Sequence, residues 1–287
     1  MPATRLSTKR VEKPWGRRDL WPGFDNVPEG GQPVGEVWFE VPNRPDFVAG
    51  SPELLIKYLF TSDKLSVQVH PDDRRAQAKG MPRGKSEAWV ILDAEPHASI
   101  ALGTTRVMSK EELRKSAEDG SIEQLLDWKP VQRDDSLVTP AGTIHAIGPG
   151  LTLIEVQQNS DTTYRLYDYG SGRELHLDDG VEASDPVPYV APYKPHELSP
   201  GRKILGDGPA FVLERWTETG AGRLTGDGRP VWLVPIAGEG TINGQPIREG
   251  EAWLVEGDGA DLQLGERMDM VVAYPQGGVI EGLWARK

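Results

Sequence analysis

The chain has 287 residues, 37% hydrophobic and 26% charged, enough for one large β domain or two smaller ones. A formal net charge of −12 excludes nucleic acid as the main partner, because phosphate-rich polymers need a basic stripe. No apolar run approaches the roughly eighteen residues of a membrane span, and the absence of cysteine rules out disulfides and thiolate metal sites.

The opening MPATRLSTKRVEKPWG lacks the apolar segment of a secretory signal, which with the missing cysteines points to the cytoplasm. Short apolar runs then recur between widely spread turn residues, 33 Gly and 24 Pro in all. They include LLIKYLF at 54–60, AWVIL at 88–92, LTLIEVQ at 151–157, FVLERW at 211–216 and VWLVPIA at 231–237. Short strands with frequent turns predict a β sandwich or barrel.

Lys57 interrupts LLIKYLF, either as a partly buried ammonium or as a lysine reaching out to water. In KLSVQVHPDD, residues 64–73, Ser66, Gln68 and His70 alternate with Leu65, Val67 and Val69, so the polar three share one strand face. Pro71 ends that strand. The face is either half-solvated or carries two neighbouring metal ligands, Gln68 and His70. Lys64 reads as a surface charge. Glu87 opens the very apolar strand of GKSEAWVIL, with Lys85 two residues earlier on the same face. A carboxylate there is either solvated or buried beside a cation.

MSKEELRKSAEDGSIEQLLDW pairs Ser109 with Glu112 and Ser121 with Gln124, two capping boxes that predict two short helices, inserted at about 107–134. In LVTPAGTIHAIGPG, Pro140 and Gly142 predict a tight reversal leading to His145. Tyr164, Tyr167 and Tyr169 read as packing residues. SDPVPYVAPYKPHELSP, residues 184–200, holds five prolines and predicts an extended linker. A second strand series follows, with no histidine after His196, so it is expected to be structural and free of metal. Together Gln68, His70, Glu87 and His145 offer two imidazoles, a carboxylate and an amide oxygen, a set that suits zinc, manganese, iron or cobalt.

The motifs KPWG at 13–16, GEVW at 35–38, LLIKYLFTSDKLSVQVHPDD at 54–73 and GKSEAWVIL at 84–92 follow one another in a familiar order. VTPAGTIHAIGPG at 138–150, EVQQNSDTTYRLYDYG at 155–170 and RELH at 173–176 continue it. On these residues the chain resembles the type I mannose-6-phosphate isomerases in their short bacterial form. Beyond about residue 200 the likeness is only to a generic cupin.

The resemblance implies a mainly β fold of two cupin-like jelly-roll barrels, with a small helical insertion in the first. Residues 1–195 would be the catalytic domain and 196–287 a smaller domain without metal. One Zn2+ would be held by Gln68, His70, Glu87 and His145. The implied reaction interconverts mannose 6-phosphate and fructose 6-phosphate through an enediol(ate), with a sugar phosphate as small-molecule partner, no nucleic acid or membrane, and the oligomeric state left open. Lys57, Lys85, Arg165 and Asp161 are implied in the active site, with Trp15 lining the pocket or sitting in the core. Arg165 is favoured to act on the enediolate rather than only anchor phosphate, and the general base is left open. Only residues 109–127 read as helical, against a sizeable helical domain in longer members, so a more open pocket is expected. Alternatives are an isomerase of other or free aldoses, a cupin dioxygenase, and a non-catalytic sugar-phosphate sensor.

Overall fold

Every residue of strands Leu54–Thr61 and Leu151–Gln158 is buried, although each carries a charge in its middle. The computed structural model, which describes residues 3–287, shows why. Both strands lie at the centre of a six-stranded antiparallel sheet that is covered on its two faces. Side chains alternate between those faces with period two. Ile56, Tyr58, Val90, Ile154 and Val156 pack against Leu213, Trp232, Val271 and other residues of the chain's second half. Leu59, Trp89, Ile91 and Leu153 point the other way and meet Ile100, Leu102 and Ile147.

That second set belongs to a five-stranded sheet ordered Tyr164–Tyr167, Val67–Val69, His145–Ile147, Ser99–Thr104, Leu126–Pro130. The second half builds a seven-stranded and another five-stranded sheet around Trp216, Leu233, Leu262, Val272 and Tyr274. Four sheets thus stack as four layers, with the six- and seven-stranded sheets innermost. The first strand crosses between halves: Ala3–Arg5 pairs with Trp253–Val255, while Ser7–Arg17 pairs with Val34–Glu40. Leu6, buried between them, belongs to the core where the two halves meet.

Helices Lys110–Asp119 and Ile122–Leu125 fall in the expected insertion. Ser109 Oγ accepts the Glu112 N–H at 3.1 Å, as a cap should. The Glu112 carboxylate, however, pairs with Arg106. The second capping box does not form: Ser121 makes no side-chain cap and instead donates its N–H to Asp119 Oδ1. Two helices went unforeseen, Asp73–Ala78 and Leu177–Ala183. Each is too short to show an apolar period, and the second contains Gly180, where a Cβ would stand 2.7 Å from Leu166 Cδ2. The proline-rich stretch is extended but tied down. Asp185 bridges to Thr143, Pro188 bridges to Gly103, and the Tyr189 hydroxyl donates to Val138 O at 2.6 Å.

Candidate metal centre and its cavity

Strand register brings the expected ligands together. His145 is the cross-strand partner of Gln68, and Gln68 is also the partner of Arg165 on its other side. A row His145–Gln68–Arg165 therefore crosses three neighbouring strands, each about 4.8 Å from the next. Glu87 faces this row from the six-stranded sheet. His70 Nε2 lies 3.3 Å from Glu87 Oε1, and His145 Nε2 lies 3.5 Å from Glu87 Oε2. The three donor atoms fall within 4.8 Å of one another, and all three residues are buried. Gln68 Nε2 is 3.2 Å from His145 Nε2.

The imidazoles are held in one tautomer. His70 Nδ1 donates to Thr162 O and His145 Nδ1 donates to Thr143 O, each at 2.9 Å. A carbonyl can only accept, so Nδ1 carries the hydrogen and Nε2 presents a lone pair toward Glu87. Burial, then the Lys85 charge, pushes the His70 pKa down to about 3. Burial also lowers that of His145. Both rings are neutral at physiological pH, the form that binds metals. Burial works to raise the Glu87 pKa, but Lys85 and the two histidines outweigh it and hold the carboxyl well below its usual range. Lys85 Nζ stands 3.0 Å from Glu87 Oε1. Even so, His70 Nε2 and both Glu87 oxygens lack a hydrogen-bond partner of proper geometry.

Gln68, Lys85 and Glu87 line a cavity of about 270 Å³ between the two sheets, with His70 and His145 in contact with Glu87. Lys57 sits there as a fully buried ammonium, 3.2 Å from Glu155 and 3.8 Å from Glu36, with the Trp38 ring 4.7 Å away. Burial opposes its charge, yet the two carboxylates win and push its pKa up. Glu155 accepts the Trp89 indole N–H at 2.9 Å, and burial followed by the Glu87 charge raises its pKa. Arg165 and Arg173 line the wall. Arg173 is clamped by Asp168, through Nε at 2.6 Å and Nη2 at 2.5 Å, while Arg165 Nε is buried without a partner.

Of the residues singled out in sequence, Gln68, Glu87, Lys85, Lys57, Arg165, Asp161 and Trp15 line this cavity, while His70 and His145 sit outside the lining and reach it through their contacts with Glu87. Trp15 is both lining and core, at 6% exposure. Asp161 lines the cavity from an exposed position, and among the described residues it makes no hydrogen bond or ion pair. Lys64 lies outside the lining, paired with Glu123 and stacked near Trp128 and Tyr169. Lys13, Glu36, Trp38, Glu155 and Arg173 were missed. Glu155 had a signal: it interrupts LTLIEVQ as Lys57 interrupts LLIKYLF, and the two are cross-strand partners.

No family model matches the chain. The mannose-6-phosphate isomerase of Streptococcus mutans serotype c is 34% identical over 203 residues, 66% of this chain and 62% of that protein. The chain thus matches somewhat less than two thirds of that relative's length. Mannose-6-phosphate isomerase ManA of Bacillus subtilis is 35% identical over 237 residues, 77% of this chain and 74% of that one. A crystal structure of the mannose 6-phosphate isomerase from Bacillus subtilis superimposes with a TM-score of 0.80 at 28% identity. It covers 95% of this chain and 99% of that one. With the four-sheet architecture and the His–Glu–His cluster in place, the chain belongs to the type I mannose-6-phosphate isomerase family.

Proposed function

We propose that the protein is a divalent-metal-dependent isomerase that interconverts mannose 6-phosphate and fructose 6-phosphate through an enediol(ate). One observation carries this: three buried donor residues converge on one point beside the cavity, with His70 Nε2 and both Glu87 oxygens left without hydrogen-bond partners. Leaving such atoms empty is costly, so something is expected to fill the gap. Two neutral imidazoles and a carboxylate are a zinc-type donor set, and other divalent metals also fit. Gln68 is proposed as the fourth ligand, since exchanging its amide O and N turns an oxygen toward His145. Bound there, a dication supplies Lewis-acid stabilisation of negative charge on the sugar oxygens.

The chain's own groups divide the remaining work. Glu155, a buried carboxylate with its pKa raised, suits a group that takes a proton from carbon and returns it one carbon away. Lys85 Nζ is a second proton carrier and a donor to a sugar oxygen. Lys57 holds Glu155 in place through their ion pair. Five cationic and four anionic side chains line the cavity, so a bound dication leaves it positive and matched to a phosphate. Arg165 and Arg173 form the phosphate wall, and Arg165, the register partner of Gln68, also faces the developing oxyanion. Asp161 contributes only its field, which favours the charge on Lys57.

The same proposal assigns two cupin-like jelly-roll barrels. Residues 1–195 would form the catalytic one, lending strand Ala3–Arg5 to the metal-free 196–287. A cytoplasmic location and a sugar phosphate as small-molecule partner belong to it too. Among the described residues no helix is long and apolar enough to cross a membrane.

A coupled assay of mannose 6-phosphate conversion, with and without chelator, tests the function. Turnover that chelator abolishes and zinc restores is expected. Binding without turnover would make the protein a sensor, and iron-dependent oxygen uptake would make it a dioxygenase. Comparable turnover of free mannose would reassign the substrate class.

A further inference from the structure

His70 and Glu87 approach within 3.3 Å although His70 follows a strand of the five-stranded sheet and Glu87 lies in the six-stranded one, so something must fix the spacing of the segments that carry them. Part of the answer is backbone. The Lys85 N–H donates to Pro71 O at 3.0 Å, and the Gly142 N–H donates to His70 O at 2.9 Å. The approach is so close that a Cβ on Gly84 would stand 2.5 Å from Asp72 C and Pro71 O. The rest is two side chains outside the cavity lining. Asp73 Oδ1 accepts the Gly84 N–H at 2.7 Å and Gln158 Nε2–H at 2.9 Å. Gln158 Oε1 accepts the Ser86 N–H at 2.9 Å, and the Gln158 N–H donates to Ser86 O at 3.0 Å. Ser86 Oγ then accepts the Ala141 N–H at 3.2 Å, on the turn that leads to His145. All three ligand-bearing segments are stitched together around residues 84–86.

We infer that Asp73 and Gln158 are positioning residues. Together they clamp the HPDD segment carrying His70 to the GKSE segment carrying Glu87, at the spacing a divalent cation requires. The inference rests on His70, Glu87 and His145 being a metal centre. Neither clamp residue would touch metal or sugar, and both would act through where Glu87 sits. A metal site tolerates errors of only about 0.2 Å in its donor distances. Partners that orient ligands typically contribute about 10–100-fold in metal affinity. The Asp73 requirement is for an acceptor oxygen, not a charge, so Asn at that position should suffice.

Metal-free protein, prepared with chelator, is titrated with Co2+ and followed by visible absorption and by competition with a chromophoric chelator. Gln158→Leu and Asp73→Ala should each bind Co2+ about 10–100-fold more weakly than wild type, with altered absorption bands. Asp73→Asn should bind as wild type does. A merely structural role would lower the melting temperature of the metal-free protein and leave Co2+ affinity unchanged. Wild-type affinity and bands in both disruptive variants would overturn the inference, as would Asp73→Asn binding as weakly as Asp73→Ala. If Gln158→Leu does not fold, the Ala and Asn variants at the exposed Asp73 decide alone. Failure of the wild type itself to take up cobalt would instead remove the metal centre, and the clamp with it.

Discussion

Both halves of the molecule bury a glutamate inside a β sandwich, and they treat it in opposite ways. In the second half, Glu214 is saturated. Its Oε1 accepts from Arg202 at 2.9 Å and from the Tyr274 hydroxyl at 2.5 Å, and its Oε2 accepts from Arg202 at 3.0 Å and from the Trp216 indole at 2.7 Å. Arg202 also donates to Ile280 O and Glu281 O, which pins the C-terminal segment. In the first half, Glu87 has a lysine and two histidines beside it, yet neither oxygen is properly hydrogen-bonded. Among the described residues, every buried side-chain atom without a partner except Trp284 Nε1 lies in the first half. A saturated buried carboxylate holds a fold together. An unsaturated one is ready for a ligand.

The contrast is broken most forcefully at the ligands. His70→Ala or His145→Ala should remove most bound metal and lower turnover on the order of 100-fold or more, measured by elemental analysis and assay. Stoichiometric metal surviving in the double variant would place a site in the second half and erase the distinction.

The converse change comes next. Glu214→Ala leaves the Arg202 guanidinium buried and unpaired and should cost about 3–5 kcal/mol of stability, read by denaturant melts, with metal content intact. Arg202→Met combined with Glu214→Leu should recover most of that loss, because an apolar pair leaves no stranded charge. A Glu214→Ala protein as stable as wild type would show that the network is not structural.

Arg165→Lys sharpens the first half's side of the comparison. The ammonium keeps the charge but loses the planar fork. If Arg165 meets the developing oxyanion, kcat should fall tenfold or more with a smaller change in KM. A raised KM with kcat nearly intact would leave Arg165 as a phosphate anchor alone, and wild-type kinetics would remove it from the site.

The smallest effect is one of pH. Burial works against the Glu36 charge, but Lys57 and Lys13 prevail and hold its pKa below the ordinary value of 4.5. Between the folded and the ordinary value, the unfolded chain binds more protons, so stability rises with pH there. The contribution is therefore present above 4.5 and lost on acidification through the lowered folded value. Glu36→Gln should flatten that part of the acid limb in a melting-temperature profile and leave the limb above pH 5 unchanged. An unchanged acid limb would mean that the carboxylate is not coupled to the buried lysine.

How much of this was legible in the sequence follows from the range of the interactions involved. Gln68 and His70 could be read together because alternation on one strand is local, and Glu87 stood out as a charge opening an apolar run. The pairing of Lys57 with Glu155 could not be read, because it depends on the register of two strands far apart in the chain. The same holds for Glu214, whose FVLERW context resembles any amphipathic strand until Arg202 and Tyr274 are folded against it. Ser121 looked like a cap by its spacing from Gln124, but the helix after it is a single turn that ends at Leu125, with Leu126 already extended. Nothing local marks Leu6 as the point where the chain leaves one sandwich for the other.

Anomalous diffraction at the absorption edge of the metal present in purified protein, ideally zinc, tests the central claim most directly. A single peak per chain is predicted between His70 Nε2, His145 Nε2 and the Glu87 carboxylate, with none beside Glu214. No peak at that position in active protein, or a peak in the second sandwich, would contradict it.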